Sequence, residues 1–320
     1  MVRLIGTKTL SPTTLGYIAI ILAATLEAFR QILSKALLVP DKVPFSEVSP
    51  LTIAFIIFIV NGLFFTPFAR KSISLRHVQK KDLFFVALIG IAESAALITY
   101  FFGLHYSTAI NASVLNNGEI LFSAILAIII FRERLQKMER IPFSMMIAGM
   151  IIIPIGYDFY TNGIETSKLV IGDILLLVAG LFWALDINMS NYVSNRLGSQ
   201  RITQLSSFAA GLFALSLMFI FQIPLSVEPI QIPIIAIIGI ISIGMSTALF
   251  ITALKLIGAV RTILLYSINS GFGIVLAYAI LNEQVNIANV VSVSIAFAGL
   301  YLLRNRLAGK QSVTKMERPK

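Results

Sequence analysis

Five ionisable side chains stand inside long apolar runs of the chain: Glu27, Arg30, Glu93, Glu119 and Asp186. Where hydrocarbon is the solvent, a charged group is costly unless it is paired, hydrated or put to use, so each is a candidate binding or coupling group. If the four acids were all ionised against Arg30 alone, three negative charges would be left over in the interior. Some must therefore hold protons, sit in water, or face a cation. The chemistry this allows is proton exchange linked to movement of a solute, or attraction of a protonated amine. Glu119 is the preferred coupling residue, because Asn116 shares its helix face three residues away and it lies near mid-span; Glu93 is second. The competing reading makes both acids permanent hydrogen-bond donors between helices.

Other polar residues gather around these. Asn111, Asn116, Asn117 and Gly118 precede Glu119 on one stretch, and Tyr266, Asn269 and Ser270 occupy the matching stretch near the other end of the chain. Such a face either lines a cavity or bonds helix to helix. Trp183 offers a ring that could cover a substrate or simply pack. Glu27 and Arg30 are three residues apart and can neutralise each other on one face, or both can meet a solute. The candidate cavity set is thus Glu27, Arg30, Glu93, Asn116, Glu119, Trp183, Asp186, Tyr266 and Asn269. No catalytic residue and no metal ligand is expected. The chain has no cysteine, no HExxH, GxSxG or Walker loop, and its two histidines, His77 and His105, lack ligand spacing. No cofactor is expected, and the absence of a nucleophile–base or metal motif counts against an enzyme.

The elements that must position these groups follow from composition. Of 320 residues, 57% are apolar and 12% charged, with a mean hydropathy of +0.89. Those proportions exclude a water-soluble globule. The apolar residues fall into ten runs, near 14–38, 50–69, 83–103, 109–131, 142–160, 172–193, 203–223, 232–255, 260–281 and 287–303, each close to the ~20 residues a helix needs to cross a bilayer. Pro154, inside the fifth, is expected to kink it. The net charge of +10 sits in alternate loops and the tail, which argues for lipid topology rather than a nucleic-acid partner. Arg70, Lys71, Arg76, Lys80 and Lys81 mark one cytoplasmic loop and Arg132, Arg134, Lys137 and Arg140 another; Arg196, Arg201, Lys255 and Arg261 fall on the same side.

The runs also repeat. One constant displacement aligns Ala109 with Ala259, Leu115 with Leu265, Phe122 with Phe272, Glu133 with Glu283 and Ala148-Gly149 with Ala298-Gly299. A second aligns Gly16 with Gly172, Ala23 with Ala179, Ala28 with Ala184, and Arg30 with Asp186, which suggests an Arg30–Asp186 pair across the halves. Five spans per half is an odd number, so the halves are inverted. Glu133 and Glu283, at helix ends, read as fold-keeping groups.

Gly103-Leu104-His105-Tyr106-Ser107-Thr108-Ala109, a span closing on Phe131-Arg132-Glu133-Arg134-Leu135, its echo from Ala253 to Glu283, and Gly180-Leu181-Phe182-Trp183-Ala184-Leu185 together resemble the drug/metabolite transporter superfamily, in particular its EamA-type members. The resemblance spans nearly the whole chain. It implies an all-α integral membrane protein of ten transmembrane helices in two inverted five-helix repeats, over 14–160 and 172–303, between a 1–13 N-terminus and a basic 304–320 tail. It further implies a carrier of small organic solutes in a cell membrane, with lipid, solute and protons as partners. Two departures stand out: Ile120 and Ser270 replace the proline that ordinarily breaks helices four and nine, and Glu27 replaces the first-repeat tryptophan. A phosphate-sugar or nucleotide-sugar exchanger is the first rival, disfavoured because acids outnumber the one deep base. A channel and a lipid-modifying membrane enzyme are the others.

The charge pattern makes a topological prediction: both termini and the 70–82 and 132–141 loops are cytoplasmic. In this cysteine-free chain a single cysteine at Ser74 should react with an impermeant thiol reagent only after the membrane is opened, and labelling of intact cells would overturn the assignment.

Overall fold

A computed structural model describes residues 11–39, 46–70, 79–130, 140–152, 156–157, 160 and 167–302. Pro154, Glu133, Ser74, Lys42 and both terminal segments lie outside them. Among the described residues every regular element is a helix. In chain order these are α1 (Pro12–Leu38), α2 (Pro50–Arg70), α3 (Lys80–Tyr106), α4 (Ala109–Leu115), α5 (Gly118–Ile130), α6 (Arg140–Ile147), α7 (Ser167–Leu197), α8 (Ser199–Ile220), α9 (Gln231–Ile237), α10 (Ser246–Ile257), α11 (Ala259–Tyr266), α12 (Asn269–Leu281) and α13 (Ile287–Leu302). A π-wound segment, Ala148–Ile152, extends α6, and another, Ile238–Met245, joins α9 to α10. Counting α4 with α5, α9 with α10, and α11 with α12, these make ten spans.

Local sequence sets the ends. Ser11 caps α1, accepting from the Thr14 amide at 3.1 Å, with Pro12 where a missing N–H is harmless. Thr108 caps α4 in the same way, accepting from Asn111 N at 3.0 Å. The turns from α7 to α8 and from α10 to α11 are made by Gly198 and Gly258, whose φ of 72° and 82° suit glycine. Large apolar side chains such as Phe84, Leu212, Phe219 and Val275 point outward, more than half exposed, whereas Gln31, Asn61, Asp173 and Asn269 are wholly buried. This inverted distribution belongs in lipid.

Packing follows a two-fold rule in which each span is matched with the one five places on. The third span packs on the sixth (α3 on α7), and the eighth on the first (α10 on α1). The fourth packs on the sixth (α5 on α7), and the ninth on the first (α12 on α1). The second and seventh pair with each other, as do the fifth and tenth. The glycines aligned by the sequence sit at these crossings. A Cβ on Gly149 would lie 2.6 Å from Ser292 O, and one on Gly299 2.7 Å from Pro142 O. A Cβ on Gly172 would lie 2.6 Å from Ser107 N, and one on Gly16 2.6 Å from Ile257 Cγ2. At Gly149, Gly172 and Gly299 only glycine lets the backbones come this close, and at Gly16 it makes room for a side chain.

At the end of the bundle holding the α3–α4 turn, polar contacts tie spans together. Lys35 Nζ donates to the carbonyls of Leu104 at 2.7 Å, His105 at 3.2 Å and Ser107 at 2.7 Å. Asp173 accepts from Ser107 Oγ and, at 3.1 Å, from Asn111 Nδ2. Glu283 caps α4, accepting from the amides of Ala109 at 2.8 Å and Ile110 at 3.0 Å. In the loops beyond, the Ser46 hydroxyl and then its amide hold the Glu228 carboxyl below the usual carboxylate range. The opposite end is tied by Arg196 to Asp82 at 3.1 Å, and by Arg201 Nη2 to Ala69 O at 2.7 Å. Arg201, expected as a loop charge, is instead buried in helix packing.

Glu283 satisfies two amides that otherwise face a low-dielectric interior, so Glu283→Ala should lower stability by about 1–3 kcal/mol. Thermal unfolding in detergent checks this, and Glu283→Gln, which keeps an acceptor, should lose less.

Candidate functional site

Two spans are interrupted at their middles. The fourth ends its first half at Leu115 and resumes at Gly118, while the ninth stops at Tyr266 and resumes at Asn269. Neither break needs a proline. The ladder tightens through three-residue bonds, Ile120 N to Asn117 O at 3.1 Å and Ile268 N to Leu265 O at 3.2 Å. Side chains supply further partners: Ser270 Oγ donates to Ser113 O at 2.6 Å, Asn117 Nδ2 donates to Ser270 Oγ, and Ser113 Oγ donates to Gln31 Oε1 at 2.7 Å. The missing prolines therefore do not remove the helix breaks. Asparagine and serine stabilise them instead.

Beside the breaks lies a cavity of about 650 Å³. Its deep wall is formed by Glu27 and Arg30 of α1, Glu93 of α3, and Asn116 and Glu119 at the first break. Trp183 and Asp186 of α7 and Tyr266 at the second break complete it. From there it runs past Ser190 to Thr203 and Lys255, at the end of the bundle where α7 turns into α8 and α10 into α11. That end carries Arg196 and Arg261, and the Lys35, Asp173 and Glu283 contacts close the other. Eight of the nine sequence candidates thus share one cavity. Asn269 does not line it: it is fully buried at the start of α12, beside the Ser270 that bonds to the fourth span. A polar stretch on the ninth span looked like a lining face, but its first turn beyond the break is spent on helix contact.

The acids differ in their surroundings. Arg30 Nε donates to both Glu27 oxygens, at 3.0 and 3.1 Å, and Nη2 makes a further short bond to Oε1. The guanidinium stands 4.8 Å above the Tyr100 ring and 5.7 Å from that of Trp183. Arg30 is therefore neutralised within its own helix. The expected partner, Asp186, accepts from Ser190 Oγ at 2.9 Å, and no Arg30–Asp186 ion pair exists among the described residues. Three-residue spacing on one helix wins over the span-to-span match, because i and i+3 side chains need no tertiary alignment to meet. Glu93 accepts from Ser206 Oγ at 3.0 Å. Glu119 stands in the first turn of α5, where the helix dipole complements a carboxylate. Among the described residues no cluster of acids and histidines could hold a metal ion.

The EamA-like transporter family matches residues 14–154 and 170–305. The chain belongs to that family. A protein of Methanothermobacter thermautotrophicus named as an uncharacterised transporter is 29% identical over 302 residues, 90% of this chain and 85% of its own length. Another of that name, from Clostridium kluyveri, is 24% identical over 289 residues, covering 89% and 91%. A solved crystal structure shares the fold, with a TM-score of 0.58 at 18% identity over 91% of this chain and 95% of its own. The protein is a multi-pass membrane transporter.

Several residues in and around this EamA-like cavity escaped sequence reasoning. Tyr100, under the guanidinium, was legible in principle, since Glu93, Leu97 and Tyr100 repeat on one face of α3. Ser206, Ser246 and Phe250 carried no such signal, because isolated serines and phenylalanines occur throughout the spans. Asp173 was overlooked because it stands at the predicted start of its span, yet it is fully buried.

Removing one member of the Glu27–Arg30 pair should destabilise the protein more than removing both, with a coupling of about 3 kcal/mol. A thermal or denaturant cycle on Glu27→Gln, Arg30→Gln and the double variant measures it, and the same cycle on Arg30 and Asp186 should give a much smaller value.

Proposed function

We propose that the protein is a secondary transporter of small organic solutes that works by alternating access between its two inverted halves, with proton coupling through Glu119. The observation that carries this reading is the mid-membrane cavity, open at one end of the bundle and closed at the other by the Lys35, Asp173 and Glu283 contacts. Sites of this kind at the interface of inverted repeats serve carriers that rock one unit against the other. The charge pattern assigns the open end to the cytoplasm of the cell membrane, so the state described is inward-facing.

Glu119 suits the coupling role by position. It lines the cavity, follows a helix break, and lies within electrostatic reach of Glu27, Asp186 and Arg30. A proton gained or lost there changes the charge felt by any solute in the cavity. The exchanger rival for phosphorylated solutes is weakened further, because Glu27 already occupies two of the nitrogens of Arg30. No covalent step is assigned to this cavity.

Uptake and counterflow in proteoliposomes test the reading. Glu119→Gln should retain counterflow, which needs no gradient, while proton-driven accumulation falls to simple equilibration and its pH dependence disappears. Unchanged pH-dependent accumulation would eliminate Glu119 as the coupling residue.

A further inference from the structure

The Glu27–Arg30 pair uses only part of the guanidinium. Nε and Nη2 face Glu27, while Nη1 is buried without an acceptor among the described residues. Arg30 as a whole is 3% exposed, so bulk water does not compensate that nitrogen. A guanidinium kept only to neutralise Glu27 has no reason to leave a desolvated donor without an acceptor on a side chain that lines a cavity. Its plane is also fixed, with Tyr100 and Trp183 on its face. A charged, positioned and incompletely paired donor at mid-membrane is a recognition element awaiting an acceptor.

We propose that Arg30 Nη1 is the seat for a carboxylate of the transported solute, with Trp183, Leu97 and Phe250 receiving the apolar body beside it. This rests on the transport reading above and gives it a substrate class. A carboxylate fits better than a phosphate for two reasons. One nitrogen with two N–H groups offers room for a single charge, and Glu27 already offsets the cation. Glu93, Glu119 and Asp186 share the cavity, so a dianion would meet four acids with one shared base. A monoanion adds only one negative charge to the cavity, which either a proton in the cavity or an ammonium on the solute itself can balance. In the first case carboxylate and proton enter and leave together; in the second the solute is zwitterionic.

The chain contains one tryptophan, Trp183, 5.7 Å from the Arg30 guanidinium, so its emission reports directly on the seat. Purified protein is titrated with acetate, 3-phenylpropionate, phenylalanine, 2-phenylethylamine and inorganic phosphate at constant ionic strength, following Trp183 emission and thermal unfolding. Wild type should respond saturably to carboxylates and not to phosphate. Glu27→Gln, which frees the remaining guanidinium nitrogens, should bind them about tenfold tighter and gain more thermal stability from them than wild type does. Arg30→Lys and the charge-free Glu27→Gln/Arg30→Gln variant should lose the response. A pH-dependent response to 3-phenylpropionate that vanishes in Glu119→Gln assigns the balancing charge to a proton, whereas a tighter, pH-independent response to phenylalanine assigns it to the solute.

The seat is overturned if neither wild type nor Glu27→Gln responds to any carboxylate, if the amine alone responds, or if the response survives in the double variant. Should the Arg30 variants fail to fold, the affinity gain of Glu27→Gln decides alone, because a merely structural pair predicts loss of stability without that gain. Counterflow separates the two readings. Transport of a solute with no carboxylate response removes the seat and leaves the transporter, and carboxylate binding without counterflow of any bound probe does the reverse.

Discussion

Every backbone amide and carbonyl in hydrocarbon must find a partner within the protein, and this constraint governs the whole molecule. It makes the spans helical, and it explains why the two interrupted spans are surrounded by Asn111, Ser113, Asn117, Ser267 and Ser270. A broken helix at bilayer depth frees backbone groups that only nearby side chains can satisfy. Ser270 of the ninth span answers the Ser113 carbonyl of the fourth, so each break is stabilised partly by the other. The cavity lies beside this polar crossing, where protein replaces lipid around the ionisable groups.

Within that setting charge is distributed unequally. The one deep base is matched inside its own helix and held over aromatic rings, whereas Glu93 and Asp186 accept single serine hydroxyls and Glu119 meets the start of a half-helix. A neutralised pair contributes a fixed dipole to the wall. The other three acids are only partly buried and have no cation paired with them among the described residues.

The two ends of the bundle are held by different chemistry. At the closed end, lysine-to-carbonyl bonds, a buried aspartate and a carboxylate helix cap join α1, α3, α4, α7 and the end of α12. At the open end, Arg196–Asp82 and Arg201–Ala69 join α2, α3, α7 and α8 and leave α10 across the opening. The near two-fold packing means that each helix pair centred on one half has a counterpart of the same kind centred on the other. Glycine crossings such as Gly103 with Gly172, and Gly149 with Ser292 and Ala296, supply smooth backbone surfaces on which such pairs meet.

Composition and hydropathy by themselves determined the membrane setting, the ten spans and the duplicated order, because burial in lipid selects residue type over long windows and leaves a signal that single substitutions do not erase. The ionisable residues were legible for the same reason: a Glu or Arg within an apolar run is costly enough to mark itself, and eight of the nine candidates do meet in one cavity. Helix ends were less legible. The third and sixth spans run to Lys80–Tyr106 and Ser167–Leu197, past their apolar cores, since a helix continues into the interface where polar residues no longer oppose it. Only the tertiary structure decided that Arg30 belongs to Glu27 rather than Asp186, that Asn269 packs instead of lining, and that the helices break without proline. The spacing of Glu27 and Arg30 allowed their pair, but whether Asp186 competes for Arg30, like the other two outcomes, depends on how the spans pack, and a linear pattern fixes which residues share a helix face but not which faces meet.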